Sequence, residues 1–267
     1  MPITQRNNTR MLGSQGPVLL YAHGFGCSQK MWGRITPAFA DSHRQILFDY
    51  VGNGQSDLAA FDARRYASLN GYAQDVLDVC DAYGLTSGVT FIGHSVSCSA
   101  GLLALIAQPE LFERLVLIGP SPCFLNDPPH YMGGFEREDL EGLLSLMDQN
   151  DIGLAQYLAP VVAGADGAGQ AAGELSDSFC STEPAVARVF ARTTFFADNR
   201  ADLPRVTRPC LILQHQQDTL APLAVGEYLH AHLRGSTLQV LPVAGHCSHM
   251  THPQRVIDAM RSFFSGE

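Results

Sequence analysis

Val89-Thr90-Phe91-Ile92-Gly93-His94-Ser95-Val96-Ser97 carries a β-branched apolar run straight into a turn bounded by glycine, and the stretch from Ser95 to Ala107 is apolar almost all round. Strand, sharp turn and buried helix in immediate succession form the setting in which a serine is presented above the end of a sheet. Such a turn needs small residues around the serine so that its strained backbone can approach neighbouring segments, and Gly93 supplies one. The usual pattern has a second glycine two places after the serine; this chain has Ser97, which is small but a departure. A serine hydroxyl is a weak nucleophile until a base removes its proton, and the base needs an acid to hold its tautomer. An Asp and a His are therefore expected downstream.

Both occur where they are required. After the run Cys210-Leu211-Ile212-Leu213, the loop Gln214-His215-Gln216-Gln217-Asp218 offers Asp218; after Leu238 to Val243, the loop Ala244-Gly245-His246 offers His246. The oxyanion that forms on an attacked carbonyl needs preorganised N–H donors. His23-Gly24-Phe25-Gly26 follows the run Val18 to Ala22, so the N–H groups of Phe25 and Val96 are the natural pair. Each element alone is commonplace, but together they fall at strand ends in the order Ser95, Asp218, His246, which reads as a catalytic constellation.

Three rival readings are weaker. His246, His249 and His252 repeat at metal-ligand spacing, but no carboxylate cluster accompanies them. Asp198 and Asp202 are alternative acids, yet they close a helical pattern rather than follow a core strand. Cys247, beside the proposed base, reads as a small packing residue before a redox-sensitive thiol.

Working outward, short β-branched runs alternate with helical patterns: Val18 to Ala22, Gln45 to Phe48, Val89 to Ile92, Leu115 to Ile118, Cys210 to Leu213 and Leu238 to Leu241. Several are continuously apolar, as for strands covered on both faces, and the alternation predicts a mostly parallel central sheet flanked by helices, an α/β fold. Asn70 is placed to cap a helix from Gly71 to Tyr83, closed by Gly84. Between residues 125 and 200 the pattern turns helical: Leu140, Leu143, Leu144 and Met147 fall at i, i+3, i+4 and i+7, and Val186, Val189 and Phe190 repeat the spacing. This predicts a core of residues 1–124 and 201–267 with a helical lid at 125–200, and the Ala- and Gly-rich stretch Ala163 to Gly173 reads as a mobile loop within the lid.

Composition narrows the function. The 267 residues are 46% hydrophobic and 16% charged, which excludes a disordered chain. Lys and Arg total 17 against 26 acidic residues, the wrong sign for a nucleic-acid groove. No apolar run reaches the roughly 18 to 20 residues that cross a bilayer, and the first residues lack the apolar core of a secretory signal, so a cytoplasmic location without membrane contact is expected. The 7 cysteines are scattered and free of C-x-x-C spacing, pointing away from a disulfide framework or zinc cage.

The segments His23 to Cys27, Leu47 to Asp57, Tyr72 to Val76, Ser121 to Asp127 and Gly133 to Phe135, with the constellation above, resemble the α/β-hydrolase superfamily. Within it the chain resembles the branch of the bacterial stress regulator RsbQ and the plant karrikin and strigolactone receptors, along nearly its whole length. Plant members of the branch share Gly-His-Ser-Val-Ser, whereas RsbQ has Gly at the fifth place and Pro where His23 stands. The resemblance implies a V-shaped lid of four helices over an apolar pocket walled by Phe25, Phe124 and Phe195. It also implies two roles. One is hydrolysis of a small hydrophobic ester or lactone through an acyl-enzyme, with no cofactor. The other is ligand sensing with slow hydrolysis and a signalling partner, which for RsbQ is a PAS-domain phosphatase. Dehalogenase or epoxide-hydrolase chemistry on such a fold normally needs a carboxylate where Ser95 stands.

Overall fold

The computed structural model describes residues 1–149, 151–164 and 169–266, and for residues 148, 151–155 and 157 the backbone alone. The strands are β1 (Arg10–Leu12), β2 (Val18–Ala22), β3 (Arg44–Leu47), β4 (Val89–His94), β5 (Phe112–Ile118), β6 (Cys210–Gln217) and β7 (Ser236–Ala244). The α-helices are α1 (Ile3–Arg6), α2 (Leu69–Ala82), α3 (Val96–Ala107), α4 (Arg137–Gln149), α5 (Asp151–Ala163), α6 (Gln170–Ser181), α7 (Pro184–Phe195), α8 (Leu223–His232), α9 (Ser248–Thr251) and α10 (Pro253–Ser265). The strands form one sheet in the order β1-β3-β2-β4-β5-β6-β7. β1 is antiparallel to β3, and the remaining pairings are parallel.

The continuously apolar strands are buried on both faces with a period of two. Leu20, Phe91, Leu115, Leu117 and Ile212 turn to one side, where α2, α3 and α8 contribute Tyr72, Val76, Leu105 and Leu229. Leu19, Tyr21, Ile92, Val116, Ile118, Leu211 and Leu213 turn to the other, against Trp32, Phe39 and the α10 residues Val256, Ile257 and Met260. Each strand thus has two apolar partners, the condition of a parallel sheet between helical layers. α3 lies so close to the sheet that a Cβ on Gly101 would come within 2.2 Å of the Phe91 ring, which requires glycine there.

All six expected strands are present. β1 was not anticipated, since its three residues, two of them exposed, are too few to show a period. β6 is longer than expected: it runs on to Gln217, so His215 belongs to the sheet and not to a loop. The helix assigned to Gly71–Tyr83 begins instead at Leu69, with Ser68 as the extended cap residue and Asn70 inside the first turn. Its end agrees with the sequence, with Gly84 at φ 64. α4 to α7 lie between β5 and β6, where the helical pattern was read. Residues 170–173, expected in a mobile loop, open α6, and Ala171 is buried; alanine favours helix strongly enough to outweigh the glycine. Ala163, at the other end of that expectation, is buried as the last residue of α5, Gly164 and Gly169 lie outside the helices, and residues 165–168 lie outside the described residues.

Candidate active site

β2 and β4 are neighbours, yet the chain leaves β2 toward β3 on one side and β4 toward β5 on the other. Their carboxyl ends therefore border the crevice that opens where strand order reverses. Ser95 stands there with φ 56 and ψ −124, a left-handed conformation that a non-glycine residue adopts only under constraint. Its N–H is held by the Ile118 carbonyl at 2.9 Å, and its own carbonyl accepts the Cys98 N–H at 2.9 Å. A Cβ at Gly93 would lie 2.7 Å from the Phe91 ring and 3.0 Å from the Cys98 nitrogen, so the turn closes only with glycine. Ser97 has its own task. Its hydroxyl donates to the His23 carbonyl and lies 3.0 Å from the Tyr50 hydroxyl, tying the elbow to the loop after β2.

That loop carries Phe25. The β2–β4 register, with Ala22 opposite Gly93, sets His23–Gly26 beside the elbow, and a Cβ on Gly24 would fall 2.5 Å from His94 Nδ1. His23 is wholly buried: Nδ1 donates to the Gly24 carbonyl at 2.8 Å and Nε2 accepts the Tyr50 N–H at 3.1 Å. Burial pushes its pKa below the usual value against the pull of Asp49, keeping the ring neutral. Phe25 N–H donates to no backbone carbonyl among the described residues. Val96 is the first residue of α3, a position whose N–H has no acceptor within the helix. The two donors expected for an oxyanion are thus on adjacent segments.

Asp218 and His246 meet: His246 Nδ1 donates to Asp218 Oδ2 at 2.7 Å. The other carboxylate oxygen accepts the Leu220 and Ala221 N–H groups at 2.9 and 3.1 Å. Burial alone would raise the pKa of Asp218, but the two histidines bonded to it, His246 and His215, hold it well below the carboxylate range. His246 Nε2 is buried and makes no hydrogen bond, so it is not bonded to Ser95 in this conformation. Bonds of that kind often tighten only when substrate is present. His94 Nε2 holds the His246 carbonyl at 3.0 Å, with the two rings 4.9 Å apart. Gly119, at φ 56 after β5, makes room: a Cβ there would lie 3.0 Å from His246 Cε1 and 3.2 Å from His215 Cε1.

The inserted helices touch this machinery directly. The His246 N–H donates to the Val162 carbonyl near the end of α5 at 2.7 Å. The contact is glycine-dependent, since a Cβ on Gly245 would fall 2.3 Å from the Ala163 carbonyl oxygen. Phe25, Phe124 and Phe195, read as pocket walls, form one aromatic chain, with centroids 6.0 Å apart for Phe25–Phe195 and 5.3 Å for Phe124–Phe195. The sequence reading omitted Phe179 and Phe190, which also pack on Phe25, at 6.3 and 5.5 Å. Phe190 lay in a recognised helical stripe, but no spacing rule says which stripe residue meets a distant loop. A crevice of about 520 Å³ lies elsewhere, between Ala67, Leu69, Leu103, Val189 and Phe196, and none of Ser95, Asp218 or His246 borders it.

The rival residues take other roles. Asp198 pairs with Arg200 at 2.7 Å and Asp202 with Arg205 at 2.9 Å, both near the surface. Burial raises the Cys247 thiol far above its ordinary pKa, consistent with packing. His249 is buried against Trp32 and His94, at 4.7 and 4.5 Å, and joins no metal-ligand grouping with His246 and His252 among the described residues. The ligating atoms of His215, Asp218 and His246 do lie within 4.8 Å of one another, but hydrogen bonds between them account for the grouping.

Comparison with known proteins places the chain in a family. The model of the alpha/beta hydrolase family matches residues 19–259. The strigolactone esterase RMS3 of Pisum sativum is 39% identical over 94% of this chain and 94% of its own. The karrikin insensitive 2 receptor CA of Petunia hybrida is 36% identical over 97% and 95%. The solved structure of a hydrolase from Oleispira antarctica superposes with a TM-score of 0.96 at 44% identity, covering 99% of this chain and 97% of that one.

Proposed function

The chain belongs to the alpha/beta hydrolase family, and we propose that it is a serine hydrolase acting on a small hydrophobic ester or lactone. The observation that carries this reading is the 2.7 Å bond from His246 Nδ1 to an ionised Asp218, which leaves His246 Nε2 an unengaged acceptor. Ser95 Oγ attacks the carbonyl carbon while its proton passes to His246 Nε2, and Asp218 stabilises the imidazolium. The oxygen that becomes negative is received by the N–H groups of Phe25 and Val96. Collapse expels the alcohol, protonated by His246, and leaves an acyl group on Ser95; water, deprotonated by His246, then releases the acid. No step requires a cofactor. Phe25, Phe124 and Phe195 suit an apolar acyl or lactone moiety, and α4 to α7 act as the lid over it.

The test is steady-state and single-turnover hydrolysis of p-nitrophenyl acetate and a butenolide probe by wild type and Ser95→Ala, with mass spectrometry for acyl-Ser95. Loss of activity and adduct in the variant is expected; activity surviving in Ser95→Ala removes the proposal. A second reading, ligand sensing with slow turnover, is favoured by the His246–Val162 bond, which makes the triad responsive to α5. It is also consistent with the receptor name of one relative. A burst followed by a persistent adduct marks this reading, and a signalling partner such as a PAS-domain phosphatase, met in the cytoplasm, would belong to it.

A further inference from the structure

One oxygen of Asp218 serves two histidines. Oδ2 accepts Nδ1 of His246 at 2.7 Å and Nδ1 of His215 at 2.8 Å. His215 is fully buried on β6 and its far nitrogen, Nε2, lies 2.8 Å from Ser248 Oγ on α9. A neutral imidazole has one donor and one acceptor nitrogen. Ionised Asp218 can only accept, so His215 carries its proton on Nδ1 and Ser248 donates to Nε2. Donation thus runs from Ser248 through His215 to Asp218 Oδ2, where it meets the bond that His246 donates from the other side.

We propose that His215 is a positioning residue for the base: its Nδ1–H anchors the shared Asp218 oxygen, fixes the carboxylate in the orientation that meets His246, and draws off part of the negative charge His246 feels. The inference rests on the triad reading. An acid whose oxygen is shared stabilises the His246 imidazolium less than one with a single donor. Burial keeps His215 itself neutral by lowering its pKa, with Asp218 pulling the other way. Other titratable groups around the pair are His94 from β4, Cys247 and His249 beside the His246 turn, and His252, which lowers His215 further.

Two measurements test this. In wild type, nitrogen-15 NMR of the histidines should find His215 protonated on Nδ1 and bare on Nε2 from about pH 6 to 8, above the ordinary histidine value at most points. The opposite tautomer overturns the proposal without any variant. Second, kcat/KM for p-nitrophenyl acetate is followed against pH in wild type, His215→Leu, His215→Asn and Ser95→Ala. His215→Leu removes the donor, so its acid limb should move up by about half to one pH unit and its kcat fall about tenfold with KM little changed. His215→Asn, whose amide nitrogen falls near the position of Nδ1, should restore most of both. A His215→Leu profile that overlays wild type, while Ser95→Ala is silent, overturns this inference and leaves the triad standing; activity surviving in Ser95→Ala overturns the triad itself. If His215→Leu fails to fold, the tautomer and the His215→Asn profile decide.

Discussion

Replacing Asp218 by Asn tests the arrangement of four donors around one carboxylate. Two backbone N–H groups point at Oδ1, from Leu220 and Ala221, and two imidazole N–H groups point at Oδ2, from His246 and His215. An amide has one oxygen and one NH2, so one pair of donors must face another donor. The backbone pair cannot change, whereas an imidazole can move its proton to the other nitrogen. The amide oxygen should therefore take the backbone pair and the NH2 should turn to the histidines, forcing His246 into the tautomer with hydrogen on Nε2. That nitrogen then cannot accept the proton of Ser95. The wrong tautomer and the loss of the charge that supports the imidazolium together cost on the order of 10⁴ in kcat, about 5 kcal/mol of barrier. The assay is steady-state hydrolysis of p-nitrophenyl acetate, with circular dichroism to establish that the variant is folded. A folded Asp218→Asn enzyme within tenfold of wild type would refute the reasoning, because neither the tautomer nor the charge could then matter.

Ser97→Gly restores the common elbow sequence but strips partners from the His23 carbonyl and Tyr50 hydroxyl. It should lower stability by about 2 kcal/mol and Tm by roughly 4–8 °C, measured by calorimetry; an unchanged Tm would show those bonds to be idle. Gly24→Ala pushes a methyl to 2.5 Å from the buried His94 ring, so the loop bearing Phe25 must shift. A fall in kcat of about 10² with KM nearly constant is expected, and intact kcat would separate this loop from the chemistry. Burial lowers the pKa of His23, His94, His215 and His249 in the folded chain. Below about pH 6.5 the unfolded chain binds protons at these positions that the folded chain refuses, so stability rises with pH through this range and falls on acidification. Urea unfolding should give a lower midpoint at pH 5 than at pH 7, and equal midpoints would mean the histidines titrate alike in both states.

Local chemistry was enough to recover the order of most elements and to single out Ser95, Asp218 and His246 as the residues proposed for a triad. Continuous apolar runs specify strands buried twice, because a parallel sheet between helical layers allows no polar face. A serine after such a run, followed by an apolar helix, and an Asp and a His after later runs, could be read from position alone, since parallel strands place all their carboxyl ends on one edge. Even the departure at Ser97 was visible, although its purpose was not: the bonds to His23 and Tyr50 join residues 74 and 47 positions away. The edge strand β1, the start of α2 and the helical continuation at 170–173 depended on short, ambiguous stretches in which tertiary pairing outweighs propensity.

What only the folded chain decided is how distant groups share atoms. His215 stood in plain view beside Asp218, but it looked like a loop residue until β6 was seen to extend past it. Its hydrogen bond to the same oxygen as His246 depends on the ends of β6 and β7 meeting. The Val162 carbonyl on the His246 N–H, and Phe179 and Phe190 against Phe25, likewise join segments far apart in sequence. A pattern of residue types records which elements form and which way they face, because those follow from periodicity and local sterics. It does not record which donor meets which acceptor across the crevice; that is set by the register of the sheet and the docking of the inserted helices.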